Sequence, residues 1–433
     1  MSDLWKNRAG NQRALVDVVT PTTEHELCEL VRDAARNGTR IKAVGSGYSS
    51  SDCALTDGTL LDLTHYGRIL DFDAEAGSIT VQAGARVGVL SEYLWTRGWA
   101  LENPGTHDRQ SIAGATSTGA HGTGVRFGGL CGSISAMRLI DGAGIARVLD
   151  VDETPELLDV ARVGLGALGV ISTVTLSLVP AFHLHVVYRQ RRFGAVVESF
   201  GDDVAGNDHF GFVYLPHTDT MWTATSERNT APLAPPGRLD RWRTRELCDN
   251  GRFGVAARLG VVGPSLVPKL SHATSRSQRI EYNEAAHRAF AGLGHERAIA
   301  MEYAVPLEVT TEALTEVRDW IDSTGGPTTL PIEVRTSGPD DAVMSMAHGR
   351  QTGYIAVRCH RSSPYEGYFA AVEDIMAAHG GRPHWAGLHR RDAAQLAAVY
   401  PGWDRFGALR AELDPHGVFE SSFTRRCLGP VGI

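Results

Sequence analysis

The chain has 433 residues, 42% of them apolar and 21% charged, and a formal net charge of −8. That length is long for one hydrophobic core and suggests two domains. The composition is that of a soluble globular protein, and the negative balance, with no basic tract to override it, argues against a nucleic-acid partner.

No run approaches the ~18 apolar residues of a membrane span. The opening Met-Ser-Asp-Leu-Trp-Lys-Asn-Arg lacks the apolar core of a signal peptide, so a cytoplasmic protein is expected. Cys28, Cys53, Cys131, Cys248, Cys359 and Cys427 are scattered with no Cys-x-x-Cys pair. That spacing argues against a metal site, a redox dithiol or a disulfide scaffold.

Thr23 to Gly38 reads as the first helix. Thr23 and Glu26 make a capping box, Leu27, Leu30, Val31, Ala34 and Ala35 recur at helical spacing, and Gly38 ends it. A short strand over Arg40–Val44 then breaks into a turn of Gly45, Ser46, Gly47, Tyr48, Ser49 and Ser50. Small side chains let backbone N–H groups approach an anion, and the serine hydroxyls add donors, which is chemistry for a pyrophosphate. The third glycine and following helix of the dinucleotide fingerprint are missing, and taken alone the turn reads more readily as an ordinary strand-to-loop turn.

Thr59–Leu63, Ile69–Asp73 and Ser78–Gln82 are β-like runs, and Val87, Leu90 and Leu94 mark a helix ended near Gly98. Asn103 to Gly129 then combines seven glycines with small hydroxyl residues and almost no apolar bulk. Such a segment buries little area of its own and is best ordered around something else, such as a large planar ligand. Met137–Ile140 and Ala146–Val151 read as a hairpin over Asp141-Gly142, Val170–Leu178 as a strand, and Pro180 closes the first region.

Beyond it, His183–Tyr188, Phe210–Leu215, Arg297–Val305, Leu330–Arg335 and Tyr354–Cys359 are strand candidates. Thr311–Ser323 and Tyr365–His379 are helices, and Asn229–Gly237 is a proline-rich surface loop. This alternation suggests a sheet covered by helices on one face. Within Pro331-Ile-Glu-Val-Arg335, Glu333 and Arg335 share one strand face, and the simplest account of the pair is a salt bridge.

The pair of motifs Val44-Gly-Ser-Gly-Tyr-Ser49 and Ile112-Ala-Gly-Ala115 … Gly119-Ala-His-Gly-Thr-Gly124 resembles the FAD-binding half of the vanillyl-alcohol-oxidase superfamily. Within it the chain is similar to aldonolactone oxidoreductases and alditol oxidases. Gly166-Ala-Leu-Gly-Val-Ile-Ser172, Arg382-Pro-His-Trp385, Tyr400-Pro-Gly-Trp403 and Leu413-Asp-Pro415 fit that pattern to the C-terminus.

The resemblance implies an α+β flavoprotein. Residues 1–180 would form the FAD-binding domain and 181–383 the cap that supplies the substrate pocket, with 384–433 returning to the first domain. It implies flavin contacts from Val44, Gly45, Ser46, Gly47, Tyr48, Ser49 and Ser50. Further contacts would come from Gly114, Ala115, Thr118, Gly119, Ala120, His121, Gly122 and Thr123, and from Gly169 and Ile171. For His121, a bond to nearby backbone is an equal alternative. The Glu-x-Arg pair maps onto Glu333 and Arg335, facing substrate from the cap; Glu302 either lines the same pocket or is a surface acid.

Three departures bear on activity. Many relatives have a flavin-linked histidine where this chain has Tyr48, so tight non-covalent FAD is expected. Relatives carry an active-site lysine at the position of Gly387, with His384 and His389 beside it as substitute bases or structural histidines. Ala115 stands where alditol oxidases have a substrate-contacting serine. The expected activity is hydride transfer from a CH–OH carbon of a lactone, polyol or other sugar-derived substrate to flavin, with oxygen or another carrier as acceptor. Oxidation of an amino sugar or larger glycoside, and a catalytically silent flavin-binding sensor, are the alternatives.

Overall fold

The computed structural model describes residues 3–238, 269, 271, 279–291, 298–326 and 330–431; Cys248 and Arg297 lie outside them. The first helix runs Glu24–Asn37, with the Glu26 N–H donated to the Thr23 hydroxyl and Gly38 at φ 63° closing it. The Glu26 carboxylate reaches one residue further back than a capping box requires, to the Thr22 N–H at 2.7 Å. The buried stripe Leu27, Val31 and Ala34 turns toward two sheets.

One sheet has four strands, in the order Asp3–Lys6, Arg13–Val19, Thr59–Asp62 and Ile41–Val44, the last three parallel. The other is antiparallel, in the order Ile69–Asp73, Ser78–Gln82, Val170–Ser177, Ile134–Ile140 and Ala146–Asp150. The hairpin expected at Asp141 is present, with Met137 opposite Leu149 and the Asp141 carboxylate accepting the N–H groups of Ala143 and Ile145. The N-terminal strand pair was not foreseen. Its strands are short and mostly exposed, and they are stabilised by what they cover more than by their own pattern.

Residues 183–383 build an eight-stranded antiparallel sheet. Its order is Ile280–Ala285, His183–Arg192, Thr220–Asn229, His209–Tyr214, Ile332–Ser337, Thr352–His360, Ala298–Pro306 and Arg382–Pro383. Helices Phe193–Gly206, Thr310–Thr324 and Glu366–Ala378 cover one face. Strand alternation sends Phe210, Phe212, Met301, Tyr303, Ile332, Val334, Ile355 and Val357 into that covered core. The opposite face turns toward the Gly-rich segment of the first region.

The chain then returns. Trp385, Tyr400, Phe406, Phe419 and Phe423 join the same core as Leu27, Ile140 and Leu168. Trp385 stacks on Tyr400 at 5.0 Å and donates its indole N–H to Met344 O at 2.7 Å. Cys28, Cys53, Cys131, Cys359 and Cys427 are free thiols.

Arg382 fixes this return. It is buried, and it donates to Val399 O at 2.7 Å, Met346 O at 3.0 Å and His348 O at 2.9 Å. Arg382→Met leaves three carbonyls without their donor and is expected to cost about 3 kcal/mol of stability. Urea unfolding of the FAD-loaded protein checks this; a loss below about 1 kcal/mol would mean the return segment is held by its aromatic packing alone.

Candidate active site

The strand Ile41–Val44 delivers the turn 45–51 into a cleft of about 910 Å³. A Cβ at Gly45 would lie 1.9 Å from the Ser111 hydroxyl, so only glycine allows the turn to meet the helix Ile112–Ser117. Among the described residues the N–H groups of Gly45, Ser46 and Gly47 have no acceptor, which leaves an anion-receiving cradle at the cleft. Val44, Tyr48, Ser49, Gly114, Ala115, Thr118, Gly169 and Ile171 line the same cleft. Its shape and orphan donors fit a dinucleotide pyrophosphate.

The cleft is also lined by residues the sequence reading missed: Trp5, Asn7, Lys42, Gln110 and Ser111. Asn7 follows directly on the first of the unforeseen N-terminal strands and donates to Ser49 O at 2.8 Å. Lys42 points inward from an apolar-looking strand and donates to Leu165 O and Gly166 O, with its pKa pushed down to about 8 by burial.

Four expected flavin contacts have other work. Ser50 and Ser51 donate their N–H groups to Ala386 O, and the Ser50 hydroxyl accepts the Ala300 N–H, so this end of the turn clamps the C-terminal return to the large sheet. The Thr123 hydroxyl donates to Phe210 O at 2.6 Å and so ties the Gly-rich segment to the sheet. A Cβ at Gly122 would meet the Asn103 amide at 1.8 Å, and one at Gly119 would meet Met346, so those glycines answer close packing. Ala115 lines the cofactor cleft and not the cavity described next.

Tyr48 and Gln110 line both the cleft and a second cavity of about 970 Å³ between the two regions. Arg335, Arg358 and Glu302 line that cavity from three adjacent strands, and Glu333 lines the adjoining space beside the two arginines. Glu333 and Arg335 point off one strand, Arg358 off the next and Glu302 off the third; Ala356 sits in register with both Glu333 and Glu302. Arg335 donates to Glu302 at 3.2 Å, to His121 O at 3.3 Å and to the Thr106 hydroxyl at 3.4 Å. Its Nε lies 3.4 Å from Glu333 without hydrogen-bond alignment, so one buried N–H is left unspent. Arg358 bonds the other Glu333 oxygen.

The charges set one another. Burial alone would raise both carboxyl pKa values, but Arg335 and then His121 hold Glu302 well below the usual range. Arg335 and Arg358 likewise bring Glu333 down to about 2. His121 presents Nε2 to Glu302 and Nδ1 to Gly122 O, each at 3.0 Å, and stacks on Tyr354 with centroids 3.4 Å apart. His121 therefore bonds backbone and also reaches across to the sheet.

His384 and His107 also line the cavity, and burial pushes each down to about 4, so both are neutral above that value. His384 Nδ1 accepts the Ala386 N–H at 3.1 Å, which places its proton on Nε2. His121, Glu302 and His384 bring three ligand-type atoms within 4.8 Å of one another. The His384 tautomer and the guanidinium already on Glu302 argue against a metal site here.

His389 does not reach the cavity. It packs against Trp385 and Phe423, with Nε2 3.8 Å from Cys427 Sγ, and burial takes it down to about 3; it is no substitute base. Gly387 does line the cavity, yet a Cβ there would sit 3.1 Å from the Glu302 N and 3.3 Å from His384 O. A lysine at this position needs the strand and turn to separate slightly. Of the residues missed, His107 was hidden inside the Gly-rich run, and Arg358 reads from sequence as one polar position on a buried strand.

The fold and site define a two-domain flavin-dependent oxidoreductase. A model described as "FAD binding domain" matches residues 17–150, and one described as "D-arabinono-1,4-lactone oxidase" matches residues 174–427. The chain belongs to the D-arabinono-1,4-lactone oxidase family. It is 42% identical to an L-gulono-1,4-lactone dehydrogenase of Mycobacterium tuberculosis, over 99% of this chain and 100% of that protein. It is 31% identical to an L-gulonolactone oxidase of Scyliorhinus torazame, over 94% and 93%. A cholesterol oxidase from B. sterolicum superposes with a TM-score of 0.83 over 99% of this chain and 97% of that one; at 16% identity this speaks for the fold alone. No helix among the described residues is long and apolar enough to cross a membrane.

The lowered Glu333 pKa makes a stability prediction. The folded value is about 2 against an ordinary 4.5, so the ionised carboxylate stabilises the native state above about pH 4.5, and that contribution is lost as pH falls toward 2. Glu333→Gln is therefore expected to be destabilised relative to wild type at neutral pH, with the gap closing in acid. A gap that stays constant from neutral pH down to about pH 2 would mean Glu333 is not held by its two arginines.

Proposed function

We propose that this protein oxidises a carbinol carbon of an aldono-1,4-lactone or closely related sugar-derived polyol. The observation that carries this is a cavity continuous with the dinucleotide cleft and lined by Glu302, Arg335 and Arg358, with Glu333 paired to both arginines beside it. The relatives' names, which specify gulono- and arabinonolactone substrates, support it. We likewise take residues 1–180, 181–383 and 384–433 as FAD-binding domain, cap and returning segment.

Bound FAD supplies the acceptor for the hydride that leaves the substrate carbon. The chain's residues bind and orient. The unspent N–H of Arg335 donates to a substrate oxygen and steadies negative charge developing there. Glu302 and Glu333 are held too acidic to serve as strong bases, so they accept hydrogen bonds from substrate hydroxyls and fix the sugar's orientation. The hydroxyl proton passes to water or to neutral His107, whose Nδ1 has no partner among the described residues.

Two carboxylates against two guanidinium groups leave no surplus negative charge to hold an ammonium, which favours a neutral lactone over an amino sugar. A cavity that retains these charges at this desolvation cost favours a working enzyme over a silent flavin protein. The acceptor is oxygen or another carrier, since relatives named as dehydrogenase and as oxidase both occur.

Anaerobic mixing with aldono-1,4-lactones, alditols and amino sugars tests the substrate class. Lactones are expected to bleach the oxidised flavin; bleaching by amino sugars alone, or by nothing, overturns the proposal. Arg335→Lys keeps the charge but loses the planar fork, and is expected to lower kcat/KM on the order of 10²-fold at unchanged FAD content. A variant that purifies without FAD would make Arg335 a cofactor residue. With Tyr48 at the usual linkage position, acid precipitation is expected to release the flavin into the supernatant; yellow retained on the pellet would show a covalent bond.

A further inference from the structure

We propose that a second chamber beside the catalytic cluster is a substrate subsite, which receives an apolar, aromatic-sized substituent carried on the sugar-derived substrate. This rests on the catalytic reading given above and extends it to the part of the substrate that does not react.

The chamber encloses about 1180 Å³ on the same sheet face as Glu333 and Arg335, over the strands to one side of them. Its apolar wall is Tyr188, Val213, Trp222, Ala224 and Phe290, with His209 and Ser226 at the edge and Glu333, Arg335 and Arg358 at the end nearest the catalytic cavity. Strand alternation explains the set. Trp222 and Ala224 share one face, and Val213 and His209 share the corresponding face of the next strand, opposite the residues in the helix-covered core. The chamber joins the catalytic cavity directly, because Gly105, Thr106, His107, Arg335 and Arg358 line both. A ligand whose polar end meets the two arginines can extend an apolar end into the chamber without crossing protein.

A bare sugar lactone whose hydroxyls meet Glu302 and Arg335 carries no apolar group to place against the aromatic wall of the second space. The chamber wall also holds two polar atoms with no partner among the described residues, Trp222 Nε1 and His209 Nε2, in side chains only 2% and 1% exposed. His209 donates Nδ1–H to Thr123 O at 2.7 Å, and burial keeps the ring neutral above about 4, so Nε2 is a bare acceptor and the indole a bare donor. Beyond the end closed by Glu333 and the two arginines, the aromatic and aliphatic wall with this donor and this acceptor fits an aryl or alkyl group bearing a single polar function. The structure thus assigns as preferred substrate a sugar lactone or polyol carrying an O-linked aryl or alkyl group. The reaction is unchanged: a C–H and an O–H bond of the carbinol break, hydride goes to the bound FAD, the proton to water or His107, and a C=O bond forms.

The test uses the full-length FAD-loaded enzyme under anaerobic mixing, with L-gulono-1,4-lactone and its 6-O-benzyl ether as probes. Transfer of the benzyl group from water to the chamber is expected to lower KM about tenfold or more. Ala224→Trp, which fills the chamber, is expected to remove that advantage while moving KM for the bare lactone by less than about threefold. Val213→Phe fills the same space from the neighbouring strand and replaces it if FAD content falls. An equal or higher KM for the ether in wild type overturns the subsite and leaves the lactone reading intact. So does an advantage that survives in the filled variants. Bleaching by neither probe overturns the catalytic reading and the subsite with it.

Discussion

A carboxylate inside a protein keeps its charge only where cations and donors replace the water it has lost. Glu302 meets that condition through Arg335 from the neighbouring part of its own sheet and His121 from the Gly-rich segment of the other domain. The bond to His121 is therefore a hinge point of the molecule as well as part of a site. It holds the glycine run at a fixed distance from the large sheet and leaves the cavity between them. Arg335 extends the same chain of charge to Glu333, and Arg358 ends it. Removal of any one member leaves a buried charge uncompensated, so the four groups act as a unit.

The large sheet separates two tasks by alternation. One face is a continuous apolar core under three helices; the other carries charge in its middle and aromatic rings to one side. Ala300 and Ala356 matter by being small. They lie among Glu302, Glu333 and Arg358, and larger side chains there would fill the cavity. Rigidity comes from the packed face, and the charged groups of the open face are held on strands rather than loops.

The cofactor turn illustrates a similar division over a few residues. Its first half is left with unspent N–H groups, while its second half is fastened to Ala386 and Ala300. The return of the chain from Arg382 onward supplies that anchor, with Trp385 and Tyr400 buried in the first domain's core. Two distant parts of the sequence thus fix one loop whose own side chains are too small to fix it.

Local pattern alone determined much of this. The helix from Glu24, the hairpin at Asp141, the strand that puts Glu333 and Arg335 on one face and the two glycine motifs follow from periodicity, turn chemistry and steric permission, which act over a few residues. What tertiary structure decided is which of those residues meet. Whether Glu302 faces a cavity or solvent, and which histidine reaches it, depends on the packing of two domains, and no spacing records that. The same cause placed Lys42 and Asn7 at the cleft and Arg358 at the cavity, and left His389 outside both. The chamber beside Trp222 is the extreme case, since a cavity is a property of what several strands leave unfilled and has no residue of its own in the sequence.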